Sequence, residues 1–407
     1  MRKGWTSMTL DEVCDFTNGL WKGEKPPFLT IGVIRNTNFT KEGALDSSDI
    51  AYIEVEAKKL EKRRLKFGDI ILEKSGGGPK QPVGRVVLFD KQDGDFSFSN
   101  FTAALRVRDH GEVDLRYLHK FLHWPYLSGV TERIQSHSTG IRNLNGDAYK
   151  AIAFNYPPLP EQQRIVALLD DAFAGLATAK SNAERNLQNA RAIFESHLQS
   201  VFSQRGEGWV DTTLGDATGG IFTGPFGSLL HKSDYVEGGI PLVNPAHITA
   251  TGIEPDLCKT VSVETATRLR SYIMSSGDIV IGRRGEMGRC AVVTEREDGW
   301  LCGTDSFFVK PSSRCDTRYL VRYLRSESCK SMLQEIAGGA VMPNLSNTDL
   351  GSLSIYLPPL DKQIVIVEHV DCLHAETQRL TRLYERKLAA LEELKKSLLQ
   401  QAFNGEL

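Results

Sequence analysis

The chain has 407 residues, 41% hydrophobic and 25% charged, with net charge −2 and pI near 6.5; this is the composition of a globular protein with room for two to four domains. Near-neutrality excludes a protein that coats nucleic acid by bulk charge, so DNA contact has to come from local basic clusters or from a partner's surface. No apolar run approaches the roughly 18 residues of a membrane span, and Met1-Arg2-Lys3-Gly4-Trp5 leads into no apolar leader. A cytoplasmic location is expected, with the seven scattered cysteines as reduced structural thiols, since they form no C-x-x-C pair and no metal-like Cys/His spacing.

Residues 1–156 mix short apolar runs with turn residues, the pattern of a head domain built on small sheets. Arg35-Asn36-Thr37-Asn38 and Phe98-Ser99-Asn100-Phe101 carry asparagines, which either form turns or read bases. Lys58, Lys59, Lys62, Arg63, Arg64 and Lys66 are interleaved with Glu54, Glu56 and Glu61, first of all a solvated helix face. Phe67-Gly68-Asp69-Ile70-Ile71-Leu72 reads as a strand entered through a Gly-Asp turn. It runs into Glu73-Lys74-Ser75 and a glycine-rich tip through Lys80, Gln81 and Arg85. Such a tip lets backbone approach phosphates while Arg, Lys and Gln reach base edges; the plainer alternative is a solvated surface loop. Arg142 and Asn143 belong to the same candidate set.

Residues 157–206 open on Pro157-Pro158-Leu159-Pro160, which stops sheet pairing, and a helix is expected from Glu161 at the positive end of the helix dipole. Phe173, Leu187, Phe194 and Val201 share one heptad position and Leu176, Ala183 and Ala190 another, with no Gly or Pro between Leu176 and Ser203. About 40 residues make a helix on the order of 60 Å long, more than one small head covers.

Residues 207–356 repeat the first head loosely. Trp209 and Thr213-Leu214 match Trp5 and Thr9-Leu10 at an offset of 204, Gly277-Asp278-Ile279 matches Gly68-Asp69-Ile70 at 209, and Gly288-Arg289 matches Gly84-Arg85 at 204. The five-residue drop places an insertion in the first glycine-rich tip. The second tip supplies Arg283, Arg284 and Arg289, and Asn244 and His247 answer the earlier asparagine segment. Asn344-Leu345 returns Asn143-Leu144 at 201, and that offset holds through residues 357–407: Pro358-Pro359-Leu360 and Gln363 answer Pro157-Pro158-Leu159 and Gln162, and Leu388, Leu399 and Phe403 answer Leu187, Leu198 and Phe202. Leu380, Tyr384, Leu388, Leu391, Leu394 and Leu398 continue at helical spacing. The fold class is therefore α+β: two pseudo-repeated heads of small mixed sheets with helices, joined by two long helices in an antiparallel coiled coil. Variable heads with near-constant tails are what two different ligands and one kind of partner would produce.

Catalytic signatures are missing. Asn155-Tyr156-Pro157-Pro158 has the wrong order for an adenine methyltransferase and no glycine-rich cofactor loop; Arg85 stands where a Walker loop needs Lys; Asp69, Glu73 and Lys74 lack nuclease spacing. The Pro-Pro-Leu-x-x-Gln tails, Phe202-Ser203-Gln204-Arg205-Gly206-Glu207-Gly208-Trp209 and the terminal Phe403-Asn404-Gly405-Glu406-Leu407 resemble the specificity subunits of type I restriction-modification systems. The resemblance implies two target recognition domains, each reading half of a split double-stranded DNA site, and helices that space them and dock two methyltransferase subunits, with Leu159, Gln162, Leu360 and Gln363 at the docking surface. It implies no cofactor in this chain, S-adenosylmethionine in the methyltransferase, and ATP and Mg in a motor-nuclease subunit where one joins. It further implies that the isolated chain binds DNA poorly. A related system with a fused nuclease-methyltransferase partner, or a coiled-coil scaffold that binds only proteins, remains open at this point.

Overall fold

A computed structural model describes residues 4–20, 23–78, 81–138, 140–204, 206–337 and 344–407. The chain divides into two compact units, Met1–Glu184 with Arg386–Leu407, and Arg185–Glu385. Both division points fall inside 45-residue helices, Leu159–Ser203 and Leu360–Asn404, each about 68 Å long at 1.5 Å per residue.

The first unit is organised by an antiparallel sheet in the order Cys14–Asn18, Thr102–Val107, Ile70–Glu73, Val86–Leu88. Alternation along its strands separates two cores. Ile70, Leu72 and Leu105 face one that includes Tyr117 and Phe154, whereas Ile71, Val87 and Ala104 face another with Phe89 and Phe98. The second unit repeats the order with Thr218–Thr223, Ser306–Pro311, Ile279–Gly282 and Cys290–Val292. Ile279 and Ile281 again face one core and Val280 the other. The loosely matched heads thus share one topology.

The repeated Gly-Asp turn has the same physical cause in both. Gly68 and Gly277 adopt φ of +91° and +92°, a region that disfavours any side chain. The buried aspartate that follows accepts from a backbone N–H three residues back, Lys66 N to Asp69 and Ser275 N to Asp278. A cation from the neighbouring strand then neutralises it: Arg106 grips Asp69 at 2.7 and 2.6 Å, and Lys310 sits 2.9 Å from Asp278.

Each unit contains an antiparallel helix pair. In the first, Ile165, Val166 and Leu169 share a core with Leu399, Ala402 and Phe403, and Lys180 meets Glu392 at 2.8 Å. In the second, Leu198 and Phe202 share a core with Val367 and Val370, and Arg191 meets Glu385 at 3.0 Å. The heptad residues Phe173, Leu176, Ala183, Leu187, Ala190, Phe194 and Val201 are all buried or half-buried. Leu394 departs from the expected stripe and is 48% exposed; Lys395 takes the inward place, its stem covered and its ammonium 5.4 Å from the Phe173 ring centre.

The glutamine of the Pro-Pro-Leu-x-x-Gln tail explains how helix and head are joined. Gln162 accepts from Asp114 N–H at 2.9 Å and donates to the carbonyls of Glu112 and Pro157 at 2.7 and 2.8 Å. Gln363 accepts from Asp316 N–H at 2.8 Å and donates to Arg314 and Pro358 at 2.9 and 2.8 Å. Asp114 and Asp316 are in turn the N-caps of Leu115–Leu127 and Thr317–Leu324. Both glutamines are 0% exposed, which corrects their assignment to a partner surface: each amide is engaged inside its own unit. Leu159 is half-buried and Leu360 is 42% exposed, so these two remain accessible. Replacing either glutamine by leucine orphans one N–H and two carbonyls, and about 3 kcal/mol of stability is expected to be lost in chemical denaturation; an unchanged midpoint would show that the lock is dispensable.

Candidate nucleic-acid interface

The strand Ile70–Glu73 and its counterpart Ile279–Gly282 each end in the glycine-rich tip. The tail segment containing the constant Asn-Leu returns to lie against it. In the first unit Leu144 N–H donates to Lys74 O at 2.8 Å, and Asn143 pairs with Ser75 in an antiparallel ladder. In the second Leu345 N–H donates to Arg283 O at 3.2 Å, and Asn344 bridges Arg284. Offsets of 209 and 201 along the sequence therefore converge on one tertiary contact. A second loop buttresses it, through Phe101 O accepting from Lys74 and Ser75 N–H and Asp305 O accepting from Arg283 N–H.

This contact brings together Lys74, Ser75, Asn143 and the loop bearing Asn100 in one unit, and Arg283, Arg284 and Asn344 in the other. Lys74 Nζ donates to Asn18 Oδ1 at 2.8 Å, and partial burial lowers its pKa from the usual lysine value. Asn36 lies behind the tip and donates to Glu73 at 3.3 Å. Arg142 is 9% exposed and bonded to Glu132 at 3.2 Å. Lys80 lies outside the described residues.

Other candidates make internal contacts, and for the buried Arg85 and Asn38 these correct the sequence reading. Arg85 is 8% exposed; its guanidinium forms two 2.8 Å bonds with the buried Glu73 and donates to the carbonyls of Asn36 and Phe39 at 3.0 and 2.9 Å. Burial lowers and the Glu73 partner raises its pKa, with a net rise, so the guanidinium stays charged. The Gln81 amide faces the same guanidinium at 3.0 Å. Arg289 makes the equivalent backbone contact, donating to Pro245 O at 3.2 Å, with Glu286 at 2.8 Å as its ion partner. The matched Gly-Arg thus ties the hairpin to the turn Asn36–Asn38 or Pro245–His247. Asn38 is 1% exposed, accepting from Arg35 N–H and donating to Asp46 and Asp49 carbonyls, which leaves it no route to DNA. His247 Nδ1 lies 2.9 Å from Leu242 O. Asn244 packs against Gly303 so closely that a Cβ there would meet its Oδ1 at 2.1 Å.

In the second unit a surface cleft of about 730 Å³ opens at the tip, lined among others by Thr223, Phe226, Arg283, Arg284, Asp305 and Asn347. Thr223 Oγ1 lies 2.5 Å from Asn347 Oδ1. Sequence reasoning missed all of these but the arginines. The signal available was position, since Asn347 follows the constant Asn-Leu by two residues and Asp305 is the counterpart of Phe101 at offset 204. Among the described residues no three His, Cys, Asp or Glu side chains are placed to hold a metal, and no helix is long and apolar enough to cross a membrane.

Duplicated heads with polar and cationic hairpin tips, each locked to a long helix, define a tandem recognition protein. The chain belongs to the type I restriction modification DNA specificity domain family, whose model matches residues 2–185 and 209–393. It is similar to the type I restriction enzyme StySPI specificity subunit of Salmonella potsdam, 24% identical over 100% of this chain and 89% of that protein, and to the EcoKI specificity subunit of Escherichia coli K12, 22% identical over the same shares. Its fold matches the HsdS subunit from Thermoanaerobacter tengcongensis, with 19% identity, 99% of this chain and 97% of that chain covered, and a TM-score of 0.66. A chain from work on complex assembly and conformational transition of the type I R-M system superposes with 19% identity over 100% and 99% of the two chains at a TM-score of 0.78.

The buried pair yields a direct test. Arg85→Ala leaves Glu73 uncompensated in the interior and is expected to cost about 3–5 kcal/mol, whereas Arg85→Met combined with Glu73→Leu costs much less. Equal losses for the single and the double variant, by urea denaturation, would show that the charge pair is not what holds the hairpin.

Proposed function

We propose that the two units read the two halves of a split double-stranded DNA site, that the long helices set the spacing and dock two methyltransferase subunits, and that methylation is carried out by those partners. The methyltransferase brings S-adenosylmethionine; a motor-nuclease subunit, where present, brings ATP and Mg. The observation that carries this reading is the contrast between the two tips. The residues that lock each head agree in both units, Asp69 with Asp278, Asn143 with Asn344, Gln162 with Gln363. The residues presented at the tip differ, Lys74-Ser75 in one and Arg283-Arg284 in the other. Identical supports holding different reading groups suit an asymmetric site, and base edges in the major groove distinguish such groups. The near-neutral charge supports shared phosphate contact with the partners, and exposed Leu360 supports docking along the helix start.

Mapping adenine methylation at single-base resolution with and without this gene tests the proposal. A bipartite motif that disappears with the gene is the expected result. A motif that persists without it, or methylation by the purified chain alone, would refute the assignment.

A further inference from the structure

We propose that residues 75 and 284 are the equivalent base-reading positions of the two units, each oriented by a constant asparagine, and that Arg284 takes a guanine. The inference rests on the split-site reading above and goes beyond it by naming the reading position and the base.

The two positions coincide at offset 209, and each faces the constant asparagine in the ladder or bridge. The contact is the same in kind. Ser75 Oγ donates to Asn143 Oδ1 at 2.6 Å, and Arg284 Nε donates to Asn344 Oδ1 at 3.4 Å. One asparagine oxygen therefore orients whichever side chain the unit carries there.

The other arginines of the second tip are engaged differently. Arg283 Nε donates to Leu345 O at 2.8 Å, and its guanidinium stands 5.8 Å from the Phe307 ring centre, so it forms part of the wall. Arg289 is held by Glu286 and Pro245 O. Arg284 is 49% exposed along its side chain and lines the cleft. Asp305 Oδ1 is 3.6 Å from the same Nε, beyond hydrogen-bond range. Asn344 and Asp305 both stand on the Nε side, and among the described residues none accepts from its Nη atoms. The Nη1/Nη2 edge is left as a forked pair of donors.

Guanine offers two acceptors, O6 and N7, on its major-groove edge, and a fixed fork matches them with two bonds. A phosphate would accept the same fork in two bonds, but a contact that carries no sequence information gives the two units no reason to differ at this position, where one has serine and the other arginine. Asp305 is a positioning residue in this arrangement, its carboxylate standing 3.6 Å from Nε on the side away from the fork. Ser75, short and neutral with Asn143 beside it, presents a different pattern and takes a different base pair.

The test is single-base methylation mapping with the full chain and its genomic methyltransferase partner, comparing wild type, Arg284→Ala, Arg284→Lys and Ser75→Ala. Arg284→Ala is expected to relax one G·C position in one half-site, lowering discrimination there by roughly tenfold to a hundredfold, with the other positions unchanged. Arg284→Lys retains part of the preference, and Ser75→Ala alters only the opposite half. The inference is overturned if that half-site has no fixed G·C pair, if Arg284→Ala weakens methylation equally at all sequences as a phosphate contact would, or if both variants affect the same half. Those failures leave a bipartite, gene-dependent motif intact in the wild type; its absence would instead refute the split-site reading. Ser75→Ala removes one surface hydroxyl and keeps the comparison informative should the Arg284 variants not accumulate.

Discussion

A buried glutamine holds each recognition head to its helix, and the rest of the architecture depends on it. Gln162 and Gln363 each satisfy one N–H and two carbonyls at the place where the extended Pro-Pro segment turns into the long helix. These backbone groups are shut off from water, and unpaired they would be costly. The same aspartate whose N–H is taken caps the head helix with its carboxylate, so one cluster fixes the start of the long helix, the start of the head helix and the angle between them.

From that joint outward, the molecule separates what must stay the same from what is free to differ. The Gly-Asp turn with its buried carboxylate and the cation beside it, the arginine that ties hairpin to turn, and the asparagine that meets the tip recur with the same partners in kind. Their constancy has a physical reason: the turn's cation neutralises a buried charge, the arginine satisfies backbone carbonyls, and the asparagine oxygen accepts from the tip side chain. The side chains at the tips are half-buried or exposed and neutralise no buried charge, so Lys74-Ser75 and Arg283-Arg284 can differ while the core beneath stays the same. A preorganised support under an exchangeable side chain is an economical way to build two readers from one fold, because only the exposed groups need change.

Much of this was legible in the sequence, since duplication supplies an internal comparison. The offsets of 201, 204 and 209 located the equivalent strands, the heptad positions marked the inward face of the helices, and the tips were recognised as one place used twice. Misreadings came where a polar residue was judged by type alone. Arg85, Asn38, Gln162 and Gln363 have side chains suited to DNA or partner contact, yet all four are buried with their bonds made inside. Nothing local distinguishes a base-reading arginine from one paired to a glutamate twelve residues earlier. The recurrence of Arg85 and Arg289 pointed to the support and not to the reader, because reading groups are the ones expected to differ. Asn18, Thr223 and Asp305 escaped notice since they reach the tips from distant strands and loops.

The most direct examination of the account is the structure of this chain assembled with its methyltransferase partner on the DNA it methylates. The account predicts Ser75 and Arg284 against base edges, with Asn143 and Asn344 still bonded behind them, and Arg85, Gln162 and Gln363 away from DNA and partner. Tips standing in solvent, with base contacts made instead by another surface such as the exposed Phe28 and Tyr52 of the neighbouring sheet, would contradict it.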